Sequence, residues 1–452
     1  MIAVVGGGIS GLATAWYLAQ AGRGCTLIEK QARLGGVIDT SQWEGCVLEG
    51  GPDSFLAAKP EAMQLIRELG IENEAISSND HQRVTFIWKN GRMVPLPDGL
   101  MMMVPTKIMP VALSPLLSWR TKIRMGLEYV LAGRGIKPER SVAQFVREHY
   151  GQETVDYLAE PLLSGVYGGN PEALSVNAVL PRFIELETKY GSLTRGVLEA
   201  RKLAKGGQGE GALFRTMKRG LGHLVETLQT RIADRTKVLH GEVEAMERAP
   251  NGWRLRVAGD WMEAEQVVLA VPAYHAAALL APHDAELGRL LHTVDYSSSM
   301  TIALVYRNLP QPPVGFGFLV PKRERRKLMA GTWVQNKFPH RAPEGYSVLR
   351  CFIGGPGSDS VLLEPDDAIL RAVLDDVRVL TGVTAKPDYH RITRWRRSMA
   401  QYTLGHSFRL KQIDRRMGAF PKLLLAGNAY SGIGISDCIR TGKAAAGKII
   451  QS

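Results

Sequence analysis

Three spaced glycines directly behind the first apolar residues constrain this chain more than any other feature. Ile2, Ala3, Val4 and Val5 are too few for a helix and stop abruptly at glycine, which predicts a buried parallel strand. Gly6, Gly8 and Gly11 then spell G-x-G-x-x-G, and a helix is expected from about Gly11 to Ala21, ended by Gly22. Each glycine has a reason: Gly6 for the tight turn, Gly8 so that backbone can approach a pyrophosphate, Gly11 so that helix and strand pack closely. Ile9 and Ser10, lying between these glycines, count with them as expected cofactor contacts, and the helix that follows would aim free N–H groups and a positive dipole end at phosphate. A second strand, Cys25 to Ile28, delivers Glu29, 18 residues after Gly11, followed by Lys30. A carboxylate there accepts from ribose hydroxyls and would repel a 2′-phosphate. The pattern predicts a dinucleotide site but does not choose between NAD and FAD.

Composition narrows the rest. The chain has 452 residues, 45% of them hydrophobic, enough for two or three domains with a sizeable core and against disorder. Cys25, Cys46, Cys351 and Cys438 are widely spaced with no CxxC pair, so neither a zinc site nor a disulfide framework is expected, which fits a reducing compartment. The cofactor strand starts at residue 2 and leaves no room for a signal peptide, so a cytoplasmic protein is expected. The net charge of +12 suits nucleic acid, anionic lipid or a polyanionic substrate. No nucleic-acid module accompanies it, which disfavours the first.

Local patterns place further elements. Trp43-Glu44-Gly45 supplies a hairpin turn, and Pro60 to Leu69 has helical periodicity. Arg83 to Pro97 reads as a strand, an Asn90-Gly91 turn and a short return. Gly99 to Trp119 holds one charge, Lys107, but Pro105, Pro110 and Pro115 argue against a membrane-spanning helix. Arg120, Lys122, Arg124, Arg134, Lys137 and Arg140 follow, so an apolar face flanked by bases predicts peripheral contact with anionic lipid, with a greasy substrate mouth as the alternative. Ser141 is expected to cap a helix. Gly196 to Gly211 reads as a mobile loop, Val238 to Val257 as two strands, and Tyr296 to Gly355 as successive strands of an antiparallel sheet. The run from Lys322 to Lys327 reads as a solvated hairpin tip.

Several strings resemble one family. Arg33-Leu34-Gly35-Gly36 is similar to the R-x-G-G loop of the large FAD-containing family of amine oxidases, phytoene desaturases and protoporphyrinogen oxidases, in which backbone and arginine reach the flavin end of the cofactor. Glu49-Gly50-Gly51-Pro52-Asp53-Ser54-Phe55, Gly165-Val166-Tyr167-Gly168-Gly169-Asn170 through Ser175, Gly315 to Pro321, Trp395 with Gln401 to His406, and Gly427 to Asp437 narrow it to the protoporphyrinogen/coproporphyrinogen oxidases. The resemblance covers nearly the whole chain.

It implies an α/β fold: a two-dinucleotide-binding-type FAD domain, a p-hydroxybenzoate-hydroxylase-like β-sheet substrate domain and a helical insertion. The expected segments are 1–82, 206–280 and 394–452 for FAD, 83–97 and 281–393 for the substrate sheet, and 98–205 for the insertion. Implied cofactor contacts are the residues already named together with Gly51, Pro52, Asp53, Val243, Trp395, Gly427, Gly432, Ile433, Gly434 and Ile435. On the substrate side the resemblance implies Gly165, its carbonyl facing the reacting carbon, with Leu319 and Phe352 against the macrocycle. The family's propionate-holding arginine falls on Thr85 here; Arg83, about 7 Å along the same strand face, is expected in its place. No general base is implied, and His275, His292, His340 and His406 are expected to be structural.

The implied reaction is six-electron oxidation of protoporphyrinogen IX or coproporphyrinogen III by non-covalent FAD, with O2 as acceptor and H2O2 released, and with a ferrochelatase as the partner receiving the porphyrin. The rivals are an amine- or carotenoid-directed FAD oxidase, and a flavin-free protein like the guanine-nucleotide dissociation inhibitors, whose signatures would be degraded.

Overall fold

The computed structural model describes residues 1–131, 137–204, 211–309, 314–355 and 357–451. Arg134 and residues 205–210 of the expected loop lie outside them. The chain divides into two compact units: residues 1–78, 212–295 and 408–452, and residues 79–211 and 296–407.

The first unit is built on a five-stranded parallel sheet in the order Thr236–His240, Cys25–Glu29, Ile2–Val5, Gln266–Leu269, Leu423–Leu425. Ile2 pairs with Cys25 on one side and Gln266 on the other, so the opening strand is central and wholly buried. Residues from both ends of the chain are needed for this sheet. Helix Ile9–Gln20 packs on helix Ile435–Gln451, and their approach is close because a side chain at Gly442 would sit 2.3 Å from the Ser10 carbonyl. Thr14 Oγ1 donates to the Gly442 carbonyl across this crossing. The first helix starts two residues before Gly11, since Gly8 holds the extended N-cap conformation. Where two strands were expected after Val238 there are three, Thr236–His240, Val243–Ala249 and Gly252–Val257.

The second unit holds a seven-stranded sheet in the order Tyr389–Gln401, Asp295–Arg307, Tyr346–Gly354, Ala330–Trp333, Gly317–Leu319, Thr85–Lys89, Arg92–Pro95. It is not fully antiparallel: Gly317–Leu319 runs parallel to Thr85–Lys89. Period-two alternation splits it into two faces. Trp88, Phe318, Cys351, Ile302 and Ile353 form a closed core with Ile369, Val373, Val377 and Leu380 of helix Asp366–Thr381. Trp395, expected with the third FAD segment, lies on strand Tyr389–Gln401 of this sheet, in the second unit.

Helices dominate residues 108–204. Ser141 caps Val142–Tyr150 by accepting from the Gln144 N–H at 3.1 Å, as its position predicted. Residues 196–204, expected to be loop, belong to helix Leu193–Ala204. Gly196 is there for packing: a side chain would come within 2.9 Å of Leu186 Cβ. Beneath these helices lies a buried ion cluster. Arg140 meets Glu187 and Glu148, and His149 sits between Glu128 at 2.8 Å and Glu187 at 3.1 Å.

Candidate functional site

In the first unit two loops meet at the carboxyl ends of the parallel strands. Gly6 has φ +103°, and a side chain there would lie 2.4 Å from the Ala270 carbonyl oxygen; one at Gly11 would lie 1.9 Å from the Gly6 oxygen. At Gly8 the same construction meets nothing within 4 Å. The turn is therefore closed on the protein side and open at Gly8, the cradle a pyrophosphate needs beside a helix N-terminus. Glu29 lies at its end: one carboxylate oxygen accepts from Gly7 N at 2.7 Å and the other from Gln31 N at 2.8 Å. Lys30 Nζ lies 3.4 Å from His275 Nε2 and 3.8 Å from Glu242.

The Arg33–Gly36 loop rests on this turn, Gly35 N donating to the Gly7 carbonyl at 2.8 Å. The Arg33 guanidinium donates to the carbonyls of Gly36 at 2.7 Å and Ile38 at 2.8 Å, so it braces its own loop. Gly51 to Asp53 are anchored through the Asp53 carbonyl, which accepts from Thr216 Oγ1 at 2.7 Å. Val243 opens its strand at an irregular register that shifts between Val243 and Ala245, which leaves ladder backbone groups out of regular pairing there.

The second glycine turn, Gly427 to Gly434, leads into helix Ile435–Gln451. Gly432 has φ +112°, and a side chain there would sit 2.2 Å from Asp437 Cγ. Asp437, buried in the first helical turn, accepts from Gly434 N at 3.2 Å and from Lys59 Nζ at 2.5 Å. Lys59 and Asp437, 378 residues apart, fix this turn, and no local pattern announces their pairing. Two glycine turns that each feed a helix N-terminus, with an acid at the second strand, fit a flavin dinucleotide.

In the second unit the sheet face opposite the closed core carries the expected substrate contacts. Ile87, Leu319, Ala330, Phe352 and Thr301 are directly paired neighbours across five strands and form one row on that face. Ile392 packs into the core, so by alternation Trp395, three residues on, belongs to the open face with Leu319 and Phe352. Gly165 stands over this row: a side chain there would touch Leu319 Cδ2 at 3.4 Å. Its helix, Glu160–Tyr167, ends at Gly168 in the left-handed conformation, where a side chain would sit 3.0 Å from Met399 Sδ and 3.1 Å from Ser297 Oγ. Leu319 and Phe352 are partly exposed while the opposite face is closed. The helix end at Gly165 therefore lies against the Leu319 part of a mostly apolar sheet row.

Two expectations change. Arg83 is not on the strand, which starts at Thr85; it ends the 3-10 turn Asp80–Gln82, is half exposed and lies 3.6 Å from Asp80. The same-face argument for it fails. The run from Lys322 is not a free solvated tip: Arg323 pairs with Asp156, Arg326 with Asp376 and Lys327 with Glu364. Among the described residues no group of His, Cys, Asp and Glu could hold a metal ion. His406 stacks on Tyr402 with centroids 4.0 Å apart.

A profile of the flavin containing amine oxidoreductases matches residues 9–450. The chain is 33% identical to the coproporphyrinogen III oxidase of Bacillus subtilis over 98% of its length and 96% of the relative's. It is 32% identical to that of Propionibacterium freudenreichii, covering 100% and 91%. A crystal structure from Exiguobacterium sp. 255-15, assigned as a candidate protoporphyrinogen oxidase, superimposes with a TM-score of 0.89 at 30% identity, covering 100% and 98% of the two chains. The chain belongs to the flavin containing amine oxidoreductase family, in the branch of the porphyrinogen oxidases.

Proposed function

We propose that this protein is an FAD-dependent coproporphyrinogen III oxidase of haem biosynthesis, turning a colourless porphyrinogen into coproporphyrin III. The observation that carries the reading is the meeting of the Gly165 helix end with Leu319, in the sheet row that also holds Phe352; we read it as one wall of a slot for a flat macrocycle. The two glycine turns would hold FAD, which would supply a hydride acceptor whose electrons O2 could take, giving H2O2. The chain's own part is positional. Leu319 and Phe352 supply apolar faces that exclude water, and Gly165, having no side chain, leaves room for a meso carbon. Gly165 lies in the last turn of its helix, where carbonyls lack helical partners and face outward as acceptors. No side-chain acid or base is required, since the departing protons sit on atoms activated by the tetrapyrrole.

The tetra-acid substrate is preferred because the two relatives above bear that name and the chain is strongly basic. Parallel aerobic turnover of coproporphyrinogen III and protoporphyrinogen IX tests the choice; faster oxidation of the second would reverse it. Phe352→Ala should raise KM about tenfold through loss of ring packing, with flavin content unchanged. An unchanged KM would remove Phe352 from the slot.

The reading extends to a membrane surface. Helix Trp119–Leu131 is amphipathic in the reverse sense: Trp119, Ile123, Leu127 and Val130 share an exposed stripe, Trp119 at 67% and Ile123 at 61%, while Thr121, Met125 and Glu128 face inward. Ile108 and Leu113 of the preceding helix are exposed too. With Arg120, Lys122 and Arg124 alongside, the patch suits anionic lipid, where the porphyrin would be handed to a ferrochelatase. No described helix is long and apolar enough to cross a membrane. Wild-type protein should co-sediment with phosphatidylglycerol vesicles and Ile123→Glu should not; equal behaviour of the two would refute the contact.

A further inference from the structure

The slot depends on how far the helix bearing Gly165 stands from the strand bearing Leu319, and one side chain joins the two. Glu160 opens that helix. One of its carboxylate oxygens accepts from Ser164 Oγ at 2.9 Å, directly beside Gly165. The other accepts from the backbone N–H of Lys322 at 3.0 Å, three residues beyond Leu319. Each carboxylate oxygen thus has one partner, a hydroxyl within the helix and a backbone N–H beyond the strand.

We infer that Glu160 is a positioning residue for the proposed oxidation: its carboxylate clasps the Gly165 helix to the end of the Leu319 strand and so sets the width of the slot. The inference rests on the reading that Gly165 and Leu319 bound the substrate. The clasp has two flanking ties. Asp156 pairs with Arg323 at 2.8 Å, and the Tyr157 hydroxyl donates to Glu324 at 3.2 Å. Three consecutive residues of the turn, Lys322 to Glu324, are thus each held by the helical run from Asp156 to Glu160. That run includes a π-helical segment, Val155–Ala159, immediately before the clasp; such segments are rare and recur at functional sites. Lys89, 4.3 Å from the Tyr157 ring and 2.9 Å from Glu153, closes the charged surroundings.

Burial pushes the Glu160 carboxyl up from its ordinary value, with Asp156 adding to the rise and Lys322 and Ser164 opposing it. As pH falls through that raised value the carboxylate gains a proton, one acceptor position is lost, and the clasp loosens.

The experiment compares wild type with Glu160→Gln and Ser164→Ala, each loaded with FAD. Glu160→Gln should lose about tenfold in kcat on coproporphyrinogen III. Flavin content and thermal midpoint should stay near wild type, and the acid limb of the wild-type pH profile should vanish. Ser164→Ala, which keeps the Lys322 bond, should be intermediate, and it serves alone if the glutamine variant does not fold. Hydrogen exchange reads the clasp without turnover: exchange should quicken in peptides covering 160–168 and 317–324 and nowhere else. A Glu160→Gln enzyme with wild-type kcat, or a slow one that keeps the acid limb and native exchange, overturns the inference. Wild type that oxidises neither porphyrinogen defeats the proposed function instead, and the exchange comparison still decides whether the clasp exists.

Discussion

Gly11→Ala is expected to purify colourless or to fail to fold. The added methyl would be built 1.9 Å from the Gly6 carbonyl oxygen, a backbone atom that cannot rotate away. Gly6 is itself pinned against Ala270, so the strand, the turn and the helix would have to part together. Overpacking of this kind costs about 3 kcal/mol or more. Gly8→Ala is the informative contrast. Its methyl meets no protein atom within 4 Å, so the variant should fold with native stability and lose FAD affinity by about tenfold or more, because the methyl enters the cradle itself. Flavin absorbance and thermal midpoint, measured on both proteins, check the pair. Full flavin loading in Gly8→Ala would show that no phosphate lies there.

Glu187→Ala should destabilise the helical part of the second unit by about 3 to 5 kcal/mol, because it strips a carboxylate from buried Arg140 and His149. Thermal unfolding should show a fall of roughly 10 °C. The cluster also predicts a pH dependence. Burial alone would raise Glu128 and Glu187, but hydrogen bonds outweigh it and hold both carboxyls below their usual range: from His149, Thr194 and the Leu193 N–H at Glu128, and from His149, Arg140 and Lys137 at Glu187. Burial alone would lower His149, but the two carboxylates outweigh it and raise it. Depressed carboxyls stabilise the fold above their unfolded pKa and lose that contribution as pH falls; a raised histidine stabilises it below its unfolded pKa and loses that contribution as pH rises. The contribution is therefore complete between about pH 4.5 and 6.5 and shrinks on either side. In Glu187→Ala the wild-type advantage should be largest in that window. A deficit independent of pH would assign it to packing alone.

The parts of this fold that local sequence dictates are legible in it. The opening strand, its glycines and Glu29 follow each other within thirty residues, and every constraint on them is local. The hairpin at Glu44 and Gly45 is of the same kind: both residues have positive φ, as a two-residue turn requires. The strand pattern around Arg83 does not reveal that a 3-10 turn at Asp80–Gln82 delays the first ladder pair to Thr85. Gly196 reads as a loop residue because its reason is a neighbouring helix rather than its own backbone. Lys59 with Asp437 and Glu160 with Lys322 were invisible for the same cause: each pair joins distant segments, and composition carries no trace of the join. Leu319 and Phe352 are far apart in sequence, and strand register alone puts their side chains on one face.

Aerobic oxidation of coproporphyrinogen III by purified, FAD-loaded protein, with porphyrin fluorescence and H2O2 followed together, tests the central claim most directly. The account predicts rapid formation of coproporphyrin III with about three molecules of H2O2 per porphyrin, and a loss of both signals in Gly8→Ala that excess FAD restores. Flavin-loaded protein that turns over neither this porphyrinogen nor protoporphyrinogen IX, yet oxidises an amine, would contradict it.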